Sequence, residues 1–175
     1  MSLLQEYNFA MSYRNKTYII FDGDDIKYYN MMQAWKSNDK IEFDFNDAHD
    51  IGGIREDSQE VTVKRHLRER FTNSKQIVVL VGTNTKYKYK YVRWEIEVAQ
   101  DLDLPLIVVN LNKKRGIDYD LCPVILKEHL AIHISYNRDI IKYALDDWPD
   151  WYETNKKDKT GPYYYKESIY QSLGL

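Results

Sequence analysis

Two short apolar runs constrain the fold of this chain more than any other feature of its sequence. Residues 76–81 read QIVVLV and residues 106–110 read LIVVN, so neither run alternates between apolar and polar positions. Strands that are covered on both faces have continuous apolar sequences of this kind, as the parallel strands of α/β proteins do. A segment with helical periodicity lies between the two runs. The pair therefore predicts two parallel strands joined by a helix.

The alternation of strands and helices continues on both sides of these runs. It predicts an α/β protein of three layers, with a flavodoxin-like parallel sheet of five strands in the order 2-1-3-4-5. Residues 1–16 are expected to form an N-terminal segment, residues 17–149 the domain, and residues 150–175 a tyrosine-rich C-terminal extension. Pro149 is expected to stop the last helix of the domain. The predicted strands are residues 17–21, 41–45, 76–81, 106–110 and 131–134, and the predicted helices are residues 26–37, 57–73, 91–103, 123–129, 138–148 and 166–173.

Composition and length exclude several classes of protein. A chain of 175 residues can bury a core without disulfides or structural metals. Cys122 is the one cysteine, which allows no internal disulfide and no zinc site built from several cysteines. The net charge of −2 gives no reason to expect nucleic acid or a membrane surface as a partner. No apolar run approaches the roughly 20 residues of a membrane span, and no signal peptide is recognisable, so a cytoplasmic location is expected.

An acidic residue occupies an apolar position of the helix that follows the third predicted strand. The buried stripe of that helix should contain Tyr91, position 95, Val98 and Leu102, at spacings of four, three and four. Position 95 is Glu95, and an ionised carboxylate on a core-facing stripe is costly unless it is paired or opens into a cleft. Glu97 should face the opposite way. Glu95 is therefore a candidate functional residue, and the alternative is a structural glutamate that pairs with an arginine or caps backbone amides.

The predicted topology brings further residues to the same region. In a doubly wound sheet, ligands bind beyond the carboxyl ends of the strands, where the strand order reverses. That point lies here between strands 1 and 3, within reach of Glu95. The loop after strand 1 brings residues 21–25 to this point, and the loop after strand 3 brings residues 82–85. The loop after strand 2 adds Asp47, His49 and Asp50 nearby.

Several familiar chemistries lack the motifs that they need. The sequence has no G-x-x-x-x-G-K-[ST], no G-x-G-x-x-G after strand 1 and no G-x-S-x-G. Asp22, Asp24 and Asp25 are placed to bind Mg²⁺ as in a receiver domain, but strand 3 ends without an acceptor aspartate and strand 5 without a lysine. Asp24 or Asp25 is therefore expected to cap the helix that follows. The four histidines have no metal-ligand spacing, and no metal site is predicted.

Four segments of the sequence resemble the TIR domain, and in particular the TIR-like family typified by ThsB of Thoeris antiphage systems. Residues 17–21 are similar to the first TIR strand, residues 43–53 to the second strand and the BB loop, and residues 74–82 to the third strand. Residues 91–96, YVRWEI, resemble the TIR pattern W-V-x-x-E-I. The likeness covers residues 17–148. The sequence departs from the family in starting the last motif with tyrosine and in its acidic loop after strand 1.

The resemblance implies an activity for Glu95, because the glutamate of this motif is catalytic in TIR domains that cleave NAD⁺. It implies that NAD⁺ is a substrate and that no cofactor is needed. The rings of Phe21, Tyr91 or Trp94 would pack on nicotinamide or adenine, and the loops after the strands would line the nucleotide. The residues expected to contact NAD⁺ are Phe21, Asp22, Gly23, Asp24, Asp47, His49, Gly82, Thr83, Tyr91 and Trp94.

The resemblance also implies a role in bacterial antiphage defence, in which the enzyme makes a nucleotide signal by hydrolysis, cyclisation or ADP-ribosyl transfer. The expected partners are further copies of the chain and a separate nucleotide-sensing effector protein. The leading alternative is a non-catalytic TIR-like module that acts by self-association, in which Glu95 would be a structural acid. A receiver-like, metal-binding switch is the weaker alternative.

Overall fold

Strands and helices alternate along the chain. The structure is a computed structural model, and it describes residues 16–41, 43–47, 59–88 and 90–175. Short 3₁₀ turns at Gly23–Asp25 and Thr85–Tyr87 lie shortly before the first and third helices. The strands are β1 (Lys16–Ile20), β2 (Asn46–Asp47), β3 (Ser74–Val81), β4 (Leu106–Asn110), β5 (Ala131–Ser135) and β6 (Pro162–Tyr163). The helices are α1 (Ile26–Lys36), α2 (Glu60–Phe71), α3 (Tyr91–Asp101), α4 (Val124–Lys127), α5 (Arg138–Asn155) and α6 (Glu167–Ser172).

The six strands that the structure describes form one parallel sheet in the order β2-β1-β3-β4-β5-β6. The first five positions confirm the predicted strand order and the three-layer α/β architecture. The sixth strand was not predicted. It lies at the far edge, where Ala131 and Ile132 of β5 pair with Pro162 and Tyr163.

Helices cover both faces of the sheet, as the apolar strand sequences require. On one face, α1, α5 and α6 enclose a core that includes Ile19 of β1. On the other face, α2, α3 and α4 enclose a second core that includes Tyr18 and Ile20. Successive residues of a strand point to opposite faces, so β1 contributes to both cores. This division decides which side chains can share a site.

Helix α5 does not stop at Pro149 but continues to Asn155, so the predicted stop was wrong. A proline has no N–H, and the carbonyl of Leu145, four residues earlier, therefore loses its helical hydrogen bond. The side-chain amide of Gln76 in β3 donates to that carbonyl at 3.1 Å. Trp148 and Tyr152 are buried on either side of the proline. This replacement hydrogen bond and this burial offset the cost of the proline.

The C-terminal extension packs onto the domain, and the predicted boundary at residue 149 falls inside α5. Trp151 stacks on Trp148 with ring centroids 4.8 Å apart, and Tyr163 lies 4.5 Å from Trp151. Tyr170 of α6 is buried in the same core. The extension thus supplies both an edge strand and core aromatics.

The second strand is shorter and lies later than predicted. Residues 43–45 are outside any strand, and β2 pairs only with the start of β1. Phe43 and Phe45 are buried, but Phe43 packs edge to face on Phe45 and on Trp35 of α1. Aromatic packing holds this segment where a strand ladder was expected. Residues 1–15, residue 42 and residues 48–58 lie outside the described residues, and the expectations for His49 and Asp50 lie there with them.

Candidate functional site

Glu95 lies in the second turn of α3 among apolar neighbours. Val92, Ile96, Val98 and Ala99 are the buried residues of this helix, and they bracket position 95 on the side that faces the sheet. The predicted stripe was wrong at its end, because Leu102 follows the helix and is 38% exposed. The glutamate nevertheless occupies the core-facing side and is only partly exposed.

Glu97 confirms the direction of the helix, because it points away from the sheet. Its carboxylate accepts hydrogen bonds from Lys64 of α2 and from Arg93, both at 2.6 Å. Burial opposes ionisation, but the bonds from Lys64 and Arg93 hold the pKa of Glu97 below its usual range. The two glutamates of this helix therefore have contrasting environments, as the helical spacing predicted.

A tyrosine of the first strand holds the Glu95 carboxylate. The Tyr18 hydroxyl donates to Glu95 Oε1 at 3.0 Å, and Tyr18 itself is 1% exposed. The Tyr18 ring packs edge to face on Phe71 of α2, with centroids 4.7 Å apart. Arg70, next to Phe71, places its positive charge near both Tyr18 and Glu95. The carboxylate thus lies between α3, α2 and β1.

This environment makes Glu95 an unusual acid. Burial raises the pKa of Glu95 to about 7, and the Tyr18 hydrogen bond and the Arg70 charge only partly oppose that rise. Burial, and then the negative charge of Glu95, raise the pKa of Tyr18 well above its usual range, so Tyr18 stays a hydrogen-bond donor. Near neutral pH, Glu95 therefore exchanges readily between a neutral acid and a carboxylate.

The loop after β1 holds a group of acids beside the loop after β3. Asp22 is 5% exposed and pairs with Lys88 at 3.2 Å, and Asp24 accepts a hydrogen bond from Asn84 at 3.2 Å. The Asp25 side chain makes no capping hydrogen bond, so the expected helix cap was wrong. Burial, followed by the charges of its two acidic neighbours, raises the pKa of Asp25.

Gly82 lies where these two loops meet. A Cβ atom at this position would clash with the carboxylate of Asp25, and that side chain would have to move. The Gly82 amide donates to the Thr85 hydroxyl at 2.8 Å. The absence of a Cβ atom at Gly82 therefore leaves room for the Asp25 carboxylate at the point where the strand order reverses.

The family of the chain follows from its sequence over the same region. The family described as "Thoeris protein ThsB, TIR-like domain" matches residues 12–116, more than half of the chain. The chain belongs to this ThsB TIR-like family. Membership connects it with Thoeris antiphage defence. A comparison with curated proteins gives no match.

In this ThsB TIR-like chain, the predicted contact residues form two groups. Tyr91 and Trp94 pack edge to face at 5.5 Å beside the core that contains Tyr18. Phe21 faces the opposite side of the sheet, where it stacks on Tyr29 at 4.9 Å, so the structure does not bring it to Glu95. The loop group at the strand ends consists of Asp22, Gly23, Asp24, Gly82 and Thr83, of which Gly23, Asp24 and Thr83 are exposed.

Asp47 and His49 are the other two residues that were expected to contact NAD⁺. The backbone of Asp47 lies in β2 beside Thr17, and His49 lies outside the described residues.

Within the described ranges, no group of three or more histidine, cysteine, aspartate or glutamate side chains is arranged to hold a metal ion. None of the helices that the structure describes is long and apolar enough to cross a membrane.

Sequence reasoning missed three polar partners in the site and one cavity. Tyr18 and Arg70 hold Glu95, and Lys88 pairs with Asp22, but none of them was among the predicted site residues. A period of two along β1 places Tyr18 on the face opposite Phe21, and that signal was available in the sequence. A cavity of about 190 Å³ lies on another flank of α3, lined by residues 85, 86, 88, 92, 93, 96 and 123–125.

Proposed function

We propose that this ThsB TIR-like protein cleaves NAD⁺ at the bond between ribose C1′ and the nicotinamide nitrogen, with Glu95 as the catalytic carboxylate. The observation that carries the proposal is the position of Glu95. One of its oxygens accepts the Tyr18 hydrogen bond beside β1, and among the described residues no hydrogen bond engages the other oxygen, Oε2. A partly exposed carboxylate with one oxygen fixed and the other available suits recognition of a sugar.

The chemistry needs a carboxylate rather than an acid. When the bond breaks, its electron pair leaves with nicotinamide, which was cationic and departs neutral without a proton. The ribose passes through an oxocarbenium-like state, as sugars do in glycoside hydrolysis. A negative charge held beside C1′ stabilises that state, and it acts strongly where water is excluded. Glu95 supplies this charge in its ionised form.

The fate of the ribose defines the product. Attack on C1′ by water or by a second nucleophile that then loses its proton gives hydrolysis or ADP-ribosyl transfer. Attack by the lone pair of an adenine ring nitrogen gives cyclisation, in which the positive charge passes to the adenine and its amino group can lose a proton. In our proposal the product is a nucleotide signal that a separate effector protein senses during antiphage defence. The proposal includes self-association of the chain as a condition for activity, as the resemblance to TIR domains implies.

The decisive experiment measures nicotinamide release by the purified protein. The protein is incubated with NAD⁺, either after activation with extract from phage-infected cells or after forced self-association, and the nucleotides are identified by mass spectrometry. Glu95→Gln should lower release at least a hundredfold, in line with the loss of one electrostatic group from an active site. Glu97→Gln is the matched control, because Glu97 lies on the same helix but faces away, and it should retain release.

The rate should also rise with pH through about 7 in the wild-type protein, because only ionised Glu95 acts. Nicotinamide release that is unchanged in Glu95→Gln would refute the role of this residue. If cells that carry Glu95→Gln still resist phage, the protein acts as a non-catalytic interaction module instead.

A further inference from the structure

We propose that Tyr18 is the positioning residue of this site, and that its hydroxyl, which donates to Glu95 Oε1, aims the Glu95 carboxylate. The inference rests on the proposed function for its catalytic meaning, because Tyr18 acts through Glu95. In structural terms, residues of β1 and α2 together set the direction of the Glu95 carboxylate.

The Tyr18 side chain is fixed by its surroundings. It lies in the middle of β1, where the backbone pairs with Ile77 of β3, a central strand of the sheet. Its ring is 1% exposed and is held edge to face against Phe71 at 4.7 Å. A ring confined in this way has little freedom, so the hydroxyl occupies one place in the structure.

The Tyr18 hydroxyl donates to an anion and has a cation nearby. It donates to Glu95, and the positive charge of Arg70 on α2 acts on both groups. Among the residues that the structure describes, the charged and titratable groups that face Glu95 are Tyr18 from β1 and Arg70 from α2, while Glu97 of its own helix pairs outward with Lys64 and Arg93.

This arrangement has a consequence for the reaction. Glutamate has three side-chain torsions, and a free carboxylate on a helix samples several directions. With Oε1 held by Tyr18, the charge is aimed before the substrate arrives, and this is the condition under which an electrostatic group is most effective. The same hydrogen bond favours the ionised form of Glu95, which is the form that the reaction needs.

The test uses Tyr18→Phe, which removes the hydroxyl and keeps the ring against Phe71. Its matched control is Tyr170→Phe, which removes a buried tyrosine hydroxyl on the opposite face of the sheet. The titration of Glu95 is followed by ¹³C NMR of its side-chain carboxyl carbon, assigned with Glu95→Gln. In parallel, nicotinamide release is measured from pH 5.5 to pH 9.5 under activation.

In Tyr18→Phe, the Glu95 titration midpoint should move up by about one to two pH units, the size expected for loss of a hydrogen bond to a charged group. The rise of activity with pH should move by the same amount. A shift of one unit lowers the ionised fraction at pH 7 about fivefold. Above pH 9 Glu95 is ionised in both proteins, and the rate of Tyr18→Phe should still stay below that of wild type because its carboxylate is no longer aimed. Tyr170→Phe should leave both curves in place.

The two proposals fail in different ways. If the wild-type protein releases no nicotinamide under any activation, the proposed function fails, and the NMR titration still decides the role of Tyr18. An unchanged Glu95 midpoint in Tyr18→Phe overturns the positioning role. A loss of activity that is equal at every pH, with an unchanged midpoint, also overturns it, because it shows that Tyr18 only supports the fold.

Discussion

Replacing Glu95 with glutamine should stabilise the fold at alkaline pH, although it removes the proposed catalytic group. Burial raises the pKa of Glu95 from its ordinary value of 4.5 to about 7 in the folded protein. The folded state therefore binds this proton more tightly than the unfolded state does. As the pH rises through the interval from 4.5 to about 7, Glu95 ionises first in the unfolded chain, and the folded state loses stability.

The size of the effect follows from the two pKa values. One unit of pKa difference corresponds to about 1.4 kcal/mol, so ionised Glu95 lowers the free energy of unfolding by at most about 3 kcal/mol at pH 8. At pH 5 the same calculation gives less than about 1 kcal/mol. Glutamine carries no charge and keeps an oxygen that can accept from Tyr18. The gain in Glu95→Gln should therefore grow by about 2 kcal/mol between pH 5 and pH 8.

Urea unfolding at pH 5 and pH 8, followed by tryptophan fluorescence, measures this gain. Glu97→Gln provides a control of opposite sign, because Lys64 and Arg93 favour the ionised form of Glu97. That variant should lose stability by nearly the same amount at pH 5 and at pH 8, because both pH values lie above the pKa of Glu97 in the folded and in the unfolded chain. The reasoning is refuted if the difference between Glu95→Gln and wild type is the same at both pH values, because Glu95 then ionises in the folded protein as it does in the unfolded chain.

Three further predictions concern residues outside the Glu95 environment. Burial lowers the pKa of His133 to about 4, so wild-type stability should lose about 2 kcal/mol from this group as the pH falls from 7.5 to 5, and His133→Leu should lack that loss in urea unfolding. Gly82→Ala should lower the free energy of unfolding by about 1–3 kcal/mol through overpacking. In a double-mutant cycle, adding Asp25→Ala should restore part of that free energy, because Asp25 is the residue that the new methyl group meets. Tyr170→Ala should cost about 3–5 kcal/mol, because the side chain is buried in the core. Tyr164→Ala, at a 62% exposed position, should change stability by less than about 0.5 kcal/mol; equal losses in these two variants would show that α6 does not support the core.

The parts of the fold that were predicted correctly are those that the local sequence determines. The continuous apolar runs of β3 and β4 place these strands at the centre of the sheet, because only strands covered on both faces can have them. β2 was misplaced because Phe43 and Phe45 alternate like strand residues while their packing partners are aromatic side chains. The end of α5 was misplaced because the hydrogen bond that compensates Pro149 comes from Gln76, which is remote in sequence.

The candidate site also contains one residue that the local sequence predicts and others that it does not. Glu95 was recognisable because a charged residue interrupts an apolar stripe, which is a local signal. Its partner Tyr18 lies 77 residues away, and no spacing within either segment predicts that they meet. Phe21 was predicted to lie near Glu95 because it follows β1. Side chains alternate between the two faces along a strand, and this alternation places Phe21 on the face opposite Tyr18.

The hydrogen bond from Gln76 to Leu145 has a consequence for the whole molecule. Gln76 also donates to the Thr17 hydroxyl at 3.2 Å, so one amide group links β1, β3 and the interior of α5. An interior helical carbonyl that bonds to a strand fixes the helix along its axis as well as against its face. The Gln76 side chain therefore ties the segment around Pro149 directly to β1, the strand that carries Tyr18, in addition to the pairing of β6 with β5 and the burial of Tyr170.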